Sequence, residues 1–251
     1  MASHYLDAPR PRVFAHRGLA LEAPENTLLA FELALAAGAA YLETDVRLTR
    51  DGVVVIAHDA TIDRVAGTSA VVADLTMPEL TAVDLGFGQT FCTLAEALER
   101  FPRARFNIDV KVAEAVLPVA EVIRSAAASD RVLLTSFSDA RRRRLAELVP
   151  GVATSVGQAG VIGALLATWL GSPSLVRRAL RGAVALQVPE RFGPVRIVSR
   201  RFAKVVHAAG AEVHVWTVND PADMERLLDV GIDGLVSDRA DLAVAVVARR
   251  N

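Results

Sequence analysis

The sequence predicts an α/β fold built on one parallel sheet of eight strands. Short β-branched runs alternate with alanine- and leucine-rich segments of helical period along the whole chain, and no strong linker interrupts them. The length of 251 residues also matches the roughly 250 residues of an eight-fold α/β barrel. The pattern leaves two architectures open, a closed barrel and an open, doubly wound sheet.

The predicted strands and helices are separated by glycines or by helix-capping residues. Asn26 is predicted as the N-cap of the first helix, and Asp220 followed by Pro221 starts a later one. The strands are predicted at 12–15, 41–46, 105–110, 132–135, 152–155, 184–188, 212–218 and 234–236, and the helices at 27–37, 94–100, 116–127, 140–148, 200–209, 222–230 and 242–249.

One interval breaks the alternation. Between His58 and Leu94 the chain has about 35 turn-rich residues, far more than an ordinary connection. Long loops of this kind often carry function. We therefore predict a small insertion after the second strand, at about residues 60–92, that covers the mouth of a barrel. Residues 1–251 are otherwise expected to form a single domain.

Composition and charge exclude several classes of protein. Apolar residues make up 52% of the chain and the formal net charge is -1, so nothing predicts a nucleic-acid partner. The single Cys92 cannot form an internal disulfide, and the first residues do not resemble a signal peptide. The longest apolar stretch, 156–170, is shorter than the roughly 20 residues of a membrane span. We expect a soluble, cytoplasmic protein without a transmembrane segment; its oligomeric state stays open.

Polar side chains stand at the predicted carboxyl ends of the strands, where barrel enzymes have their catalytic groups. Buried charges are costly unless they are paired or bind a metal, so this convergence indicates a site. The set comprises His16 and Arg17 after the first strand, Glu43 and Asp45 on one face of the second, Asn107, Asp109 and Lys111 at the third, Ser136 and Phe137 at the fourth, Trp216 and Asn219 at the seventh, and Ser237 and Asp238 at the eighth.

These residue types suit an oxyanion ester held against a hard metal ion. The carboxylates of Glu43, Asp45 and Asp109 are oxygen ligands that Mg²⁺ or Ca²⁺ prefers. Arg17 and Lys111 would neutralise the remaining phosphate oxygens. A phosphodiester hydrolase is therefore the leading hypothesis.

Two histidines complete that hypothesis. His16 and His58 titrate near neutral pH, so one can accept a proton while the other donates one to a leaving alkoxide. Other prominent residues are given structural roles: the run 141–144 of four arginines is predicted to be a solvated helix face, His214 to lie inside the barrel, and Cys92 to fill apolar space.

Seven motifs together resemble those of the glycerophosphodiester phosphodiesterase family. The resemblance covers residues 13–238, nearly the whole chain. The motifs are HRG at 16–18, APENT at 23–27, ETDV at 43–46, HD at 58–59, NIDVK at 107–111, VWTVN at 215–219 and GIDGLVSD at 231–238.

The resemblance implies a single eight-fold TIM barrel with a small insertion after the second strand. It implies hydrolysis of glycerophosphodiesters to glycerol 3-phosphate and an alcohol, as part of lipid and glycerol metabolism, with one divalent cation, Mg²⁺ or Ca²⁺. In that family the glycerol 2-hydroxyl is thought to attack phosphorus, giving a cyclic phosphate that water then opens.

The family's functional residues map onto this chain position by position. One departure stands out: the third metal ligand is usually glutamate, and Asp109 is one methylene shorter, so weaker binding or a different metal preference is expected. The mapping gives His16 and His58 as catalytic residues, Arg17, Lys111 and Trp216 as substrate- or phosphate-binding residues, and Glu43, Asp45 and Asp109 as metal ligands.

Two alternative functions stay open. One is a lysophospholipase D-type phospholipase on the same fold; the other is a phosphate-ester binding barrel that lost its activity with the shortened carboxylate. A phosphate-binding isomerase would not explain three carboxylates with two histidines. The stretch 156–170 bears on the first alternative: it is predicted as a buried helix or lid, and otherwise as an apolar surface for a lipid chain or for transient membrane contact.

Overall fold

The computed structural model describes residues 4–250. Residues 1–3 and 251, which the single-domain expectation includes, lie outside the described residues. The strands are β1 (Arg12–His16), β2 (Tyr41–Leu48), β3 (Val54–Ile56), β4 (Arg105–Val110), β5 (Val132–Thr135), β6 (Ala153–Thr154), β7 (Ala185–Pro189), β8 (Arg191–Phe192), β9 (Val195–Arg196), β10 (Glu212–Trp216) and β11 (Gly234–Ser237).

The α-helices occupy the outside of the sheet and the connections between strands. They are α1 (Leu28–Ala36), α2 (Asp63–Ala66), α3 (Met77–Thr81), α4 (Leu94–Arg100), α5 (Val116–Ser125), α6 (Asp139–Leu148), α7 (Gln158–Trp169), α8 (Pro173–Leu180), α9 (Arg200–Ala208), α10 (Pro221–Val230) and α11 (Ala240–Ala248). Among residues 4–250, no helix combines the length and the apolar character needed to cross a bilayer.

Eight of the strands form a parallel barrel. Their order is β6-β5-β4-β2-β1-β11-β10-β7. The two ends of this order meet, because the amide of Val184 donates to the carbonyl of Thr154 at 2.9 Å and that of Val156 to Ala185 at 3.2 Å. All eight predicted strands are confirmed, and the closed barrel rather than the open sheet is the architecture. β6 is shorter than predicted, and β10 ends two residues earlier than predicted.

The start of α1 differs from the prediction. Thr27, not Asn26, is the N-cap: its backbone is extended and its side chain accepts from the amide of Ala30. Asn26 has a φ of +57° and directs its side chain to Asp45 and Thr44 instead. The prediction at Asp220 was correct, since its carboxylate accepts from the first amides of α10.

The predicted insertion follows β2 and has a small core of its own. β3 pairs antiparallel with β2, so the chain turns back along the barrel before α2 and α3. Val55, Ile62, Val72, Leu80 and Phe91 pack together beneath these short elements. Because this cluster is separate from the main core, the insertion is held by its own apolar contacts.

The interior of the barrel is packed with aromatic side chains. Phe14 and Tyr41 have ring centroids 4.8 Å apart, and Phe14 lies 4.7 Å from the fully buried ring of His214. A Cβ on Gly234 would come within 2.7 Å of the Phe14 ring, so this strand position requires glycine. The structural role predicted for His214 is confirmed: its Nε2 lies 3.0 Å from Glu212.

Candidate active site

Three neighbouring strands bring most of the predicted site residues into adjacent rows. In the β1–β2 ladder His16 pairs with Glu43, and in the β2–β4 ladder Asp45 pairs with Asp109. Side chains two residues apart on a strand point the same way. The structure therefore places these four side chains together at the carboxyl end of the barrel.

The turn after β1 holds Arg17 in an unusual backbone conformation. Arg17 has a φ of +56°, a strained region for a residue with a side chain and one that is common at functional sites. Its amide donates to the carbonyl of Glu43 at 3.0 Å and to that residue's carboxylate at 3.2 Å. The next residue, Gly18, has a φ of +87°, and a Cβ there would lie 2.7 Å from the backbone of Ala30.

Lys111 and Arg17 are the cations in contact with Asp45. Lys111 Nζ lies 2.7 Å from Asp45 Oδ1 and 2.6 Å from Asp109 Oδ2. Arg17 Nε lies 3.3 Å from Asp45 Oδ2, and its Nη1 donates to Glu25 at 3.0 Å. Although burial acts to raise the pKa of Asp45, these two cations lower it. Asp45 is therefore ionised.

The other two carboxylates are under-neutralised. Burial, together with the negative charge of Asp45, raises the pKa of Glu43 to about 8. Burial also raises the pKa of Asp109 despite its contact with Lys111, and one of its oxygens has no hydrogen-bond partner in the structure. Both carboxyl groups therefore hold a proton more tightly than they would in water.

This donor set fits a divalent cation. Clustered carboxylate oxygens are the ligands of Mg²⁺ and Ca²⁺, and added positive charge would lower the pKa of both Glu43 and Asp109. Among residues 4–250, no three His, Cys, Asp or Glu side chains already lie in coordinating geometry. The ammonium of Lys111 lies between Asp45 and Asp109 and contacts both of them.

Each predicted catalytic histidine is paired with an aspartate. His16 Nδ1 lies 2.6 Å from Asp238, which also accepts from Asn219 at 2.7 Å, and His16 Nε2 lies 3.9 Å from Glu43. Burial lowers the pKa of His16, but Asp238 and Glu43 outweigh it and raise the pKa.

His58 follows β3 and lies close enough to help lower the pKa of Asp45. Its Nδ1 lies 2.7 Å from Asp59, and its backbone carbonyl accepts from Arg47 Nε at 2.9 Å. In both histidines the aspartate contacts Nδ1, which leaves Nε2 for proton transfer.

Two aromatic rings lie near Lys111. Trp216, at the end of β10, has its ring centroid 6.5 Å from that of Phe137, which follows β5. Lys111 Nζ lies 5.9 Å from the Phe137 centroid. Trp216 therefore lies beside Phe137, which in turn lies beside Lys111.

Sequence reasoning missed two groups of charged residues near the site. The run 141–144 was predicted as a solvated face, and this was wrong: Arg142 is 2% exposed, and Arg141 donates to the carbonyl of Val110 at 2.7 Å and to Ser136 at 2.9 Å. Four consecutive residues surround a helix, so some of them must face the barrel. The position of Ser138 as N-cap fixes which ones do.

The second missed group links the insertion to the mouth. Arg64 makes a two-point contact with Glu25 at 2.9 and 2.6 Å and donates to Asp59 at 2.7 Å. Glu25 in turn contacts Arg17. No local sequence pattern joins these residues, because 39 positions separate Arg64 from Glu25.

Comparison with known proteins agrees with this geometry. Residues 16–242 match the model of the glycerophosphoryl diester phosphodiesterase family. The chain belongs to this family. It is 42% identical to a probable glycerophosphodiester phosphodiesterase 2 of Mycobacterium tuberculosis, over 94% of this chain and 90% of the relative. It is 31% identical to a glycerophosphodiester phosphodiesterase of Caldanaerobacter subterraneus, over 94% of this chain and 98% of the relative.

Solved structures of glycerophosphodiester phosphodiesterases share the barrel. The enzyme from Agrobacterium tumefaciens superposes with a TM-score of 0.77 at 29% identity, over 94% of this chain and 99% of that one. A phosphodiesterase from Oleispira antarctica, solved with the product sn-glycerol-3-phosphate, has a TM-score of 0.82 at 25% identity, over 95% of this chain and 97% of that one. Family membership makes the chain a phosphoric diester hydrolase, and the family generally uses a divalent cation.

Proposed function

We propose that the chain hydrolyses glycerophosphodiesters to glycerol 3-phosphate and an alcohol, with one divalent cation held by Glu43, Asp45 and Asp109. The observation that supports this most is the cluster of Glu43, Asp45 and Asp109 on neighbouring strands beside His16, with the pKa of Glu43 and of Asp109 raised. When bound, Mg²⁺ or Ca²⁺ would supply positive charge to the phosphate oxygens and to the attacking oxygen. The whole chain would act as one domain, because every group named here comes from the same barrel.

Arg17 and Lys111 bind the phosphate in this proposal. Lys111 contacts two carboxylates that the cation would neutralise, so its ammonium becomes available to a phosphate oxygen. The guanidinium of Arg17 is held by Glu25 at Nη1 and by Asp45 at Nε, which fixes it beside the carboxylates. Together they offset the negative charge that remains on the diester.

The two histidines move the protons. The glycerol 2-hydroxyl attacks phosphorus and forms a new O–P bond, while one histidine accepts the hydroxyl proton at Nε2. The bond to the alcohol breaks, and the other histidine donates a proton to the departing oxygen. Water then opens the cyclic phosphate with the two roles reversed. Asp238 and Asp59 hold the rings, because each contacts Nδ1.

The test is release of glycerol 3-phosphate from glycerophosphocholine and glycerophosphoethanolamine in a coupled assay. We expect activity in the wild-type protein and a fall of roughly 10²–10⁴-fold in kcat for His16→Ala and for His58→Ala. His4→Ala, which removes an exposed histidine far from the mouth, is the matched control. Wild-type rates in both variants would contradict the assignment.

A lysophospholipase D-type activity is the second candidate. Phe137 is an exposed large apolar side chain beside Lys111 and Trp216, so an acyl chain could lie against it. A mouse lysophospholipase D is 27% identical over 90% of this chain. Lysophosphatidylcholine in the same assay series separates the candidates, with choline release as the readout. The inactive binding barrel is disfavoured, since both histidines and their aspartates are present.

A further inference from the structure

The chain has a strongly uneven distribution of charge. Over all 251 residues it has 28 Lys and Arg against 29 Asp and Glu. Between Glu147 and Glu212, however, there are eight basic residues and a single acidic one, Glu190. That acidic residue is itself paired with Arg226 and Arg196. The basic residues of this interval are Arg177, Arg178, Arg181, Arg191, Arg196, Arg200, Arg201 and Lys204.

The same interval concentrates the exposed apolar side chains. Among residues 4–250, twelve large apolar side chains are exposed, and seven of them lie between Glu147 and Glu212. Folded proteins normally bury such side chains or scatter them, and a contiguous exposed group marks a binding surface. The seven are Ile162, Leu166, Trp169, Leu170, Leu175, Phe192 and Val195.

Helix α7 presents this apolar surface. Gly160, Ala164 and Ala167 on one face are buried. Ile162, Leu166 and Trp169, spaced four and three residues apart, form a single exposed stripe on the other. Trp169 is 78% exposed, although indole is a side chain that proteins ordinarily cover.

Contacts at both ends of α7 place it on the same side of the barrel as the mouth. The amides of Gly157 and Ala159 donate to Asp139, the first residue of α6, and the carbonyl of Trp169 accepts from Arg201 in the first turn of α9. Helices that follow barrel strands begin at the mouth side. The exposed β8–β9 hairpin, with Phe192, directly precedes α9 in the chain.

A groove of about 380 Å³ lies between α6, α7 and α8 beside this stripe. Leu166, Leu170 and Leu175 contribute its apolar walls, and Arg143, Arg178 and Arg181 also line it. In the described part of the chain none of these three arginines forms an ion pair with an acidic side chain. Their charges are therefore available to an external anion.

We propose that α7, α8 and the β8–β9 hairpin form a docking face for an anionic membrane surface. An amphipathic face that carries tryptophan and leucine beside arginines binds the interface of a bilayer, with the apolar groups among the acyl chains and the arginines on lipid phosphates. The eight basic residues of the interval outnumber its one acidic residue, Glu190, so its positive charge complements anionic lipid. Asp139, which also lines the groove, accepts hydrogen bonds from the first amides of α7. Docking there brings the barrel mouth close to the lipid surface, and it does not depend on the proposed activity.

Sedimentation of the full-length protein with vesicles tests the docking face. We expect binding to phosphatidylcholine vesicles that contain phosphatidylserine, weaker binding to pure phosphatidylcholine, and loss of binding at high salt. Trp169→Ala with Leu170→Ala should lower the partition coefficient more than tenfold, and Arg178→Gln with Arg181→Gln about fivefold per charge. Phe87→Ala, an exposed apolar residue of the insertion, and Arg249→Gln are the controls and should bind as wild type.

Circular dichroism and hydrolysis of a water-soluble diester should be unchanged in these variants, which separates lost docking from lost folding. Failure to bind anionic vesicles would overturn the proposal. Binding of the Trp169→Ala, Leu170→Ala double variant at the wild-type level would also overturn it. A concentration-dependent dimer in ultracentrifugation that the double variant abolishes would overturn it too, because the face would then be covered by a second copy of the chain.

Discussion

The charge state of individual carboxylates governs this site. Asp45 is ionised because Lys111 and Arg17 contact it, whereas burial raises the pKa of Glu43 to about 8 and also raises that of Asp109. A divalent cation bound beside these carboxylates would stabilise their ionised forms. The resemblance described above leads us to expect a glutamate where this chain has Asp109, so Asp109 is the most informative position to change.

At residue scale, we expect Asp109→Asn to lower the affinity for Mg²⁺ or Ca²⁺ by at least about tenfold, because it removes one of three anionic ligands. Asp109→Glu should retain or raise the affinity, since the longer side chain restores the usual ligand. Isothermal titration calorimetry measures both. Asp130→Asn, an exposed carboxylate before β5, is the control. Equal affinities in all four proteins would show that Asp109 is not a ligand.

At the scale of elements, the insertion is tied to the mouth by Arg64. Burial acts to raise the pKa of Glu25, but hydrogen bonds and charge from Arg64 and Arg17 lower it; the pKa of Asp59 is lowered in a similar way, by His58 and Arg64. Groups with lowered pKa contribute stability that is present above the unfolded value and lost as pH falls through the folded one. The contacts of Arg64 with Glu25 and Asp59 therefore stabilise the insertion at neutral pH, and this stabilisation is lost in acid.

Arg64→Gln should accordingly speed hydrogen exchange in residues 60–92 at pH 7, because the two-point contact with Glu25 is lost. The difference from wild type should shrink as pH falls below about 4, near the ordinary pKa of a glutamate. Arg100→Gln, which removes an exposed pair with Glu32, should leave the insertion unchanged. Equal exchange rates in Arg64→Gln and wild type at pH 7 would mean that the contacts of Arg64 do not stabilise the insertion.

The elements also show why sequence reasoning succeeded in one place and failed in another. The parallel strands were predictable because each is a short apolar run with a polar end, and the site residues follow from that order. Helix α8 and the burial of Arg142 were not predictable. They depend on how α6, α7 and α8 pack against one another. The mixture of arginine and leucine in this part of the sequence does not show which helix faces are buried. The link between Arg64 and Glu25 likewise depends on tertiary contact alone.

At the scale of the whole molecule, a buried ion pair joins strand β1 to strand β10 of the barrel. Arg12, only 3% exposed, makes two hydrogen bonds to Glu212 at 3.1 and 2.9 Å and also donates to the carbonyls of Leu6, Ala8 and Pro9. Removing one member of such a pair leaves a buried charge without its counter-ion. This contact therefore joins β1 to β10 at the amino ends of the strands, opposite the site.

Glu212→Gln should lower the free energy of unfolding by about 3 kcal/mol, since Arg12 keeps its charge and its burial. Glu225→Gln, which breaks an exposed pair with Arg249, should change it by less than about 1 kcal/mol. Urea denaturation at pH 7 measures both. A Glu212→Gln protein as stable as Glu225→Gln would mean that the carbonyl groups alone satisfy Arg12.

In the proposed function, the barrel holds three carboxylates and two histidines around one divalent cation and one phosphodiester. The most direct test is glycerol 3-phosphate release from glycerophosphocholine by protein stripped with EDTA, before and after Mg²⁺ or Ca²⁺ is restored. We predict that the stripped protein is inactive and that adding back one of the two cations restores the wild-type rate, because Glu43, Asp45 and Asp109 need its charge. Full activity in the metal-free protein would contradict the account.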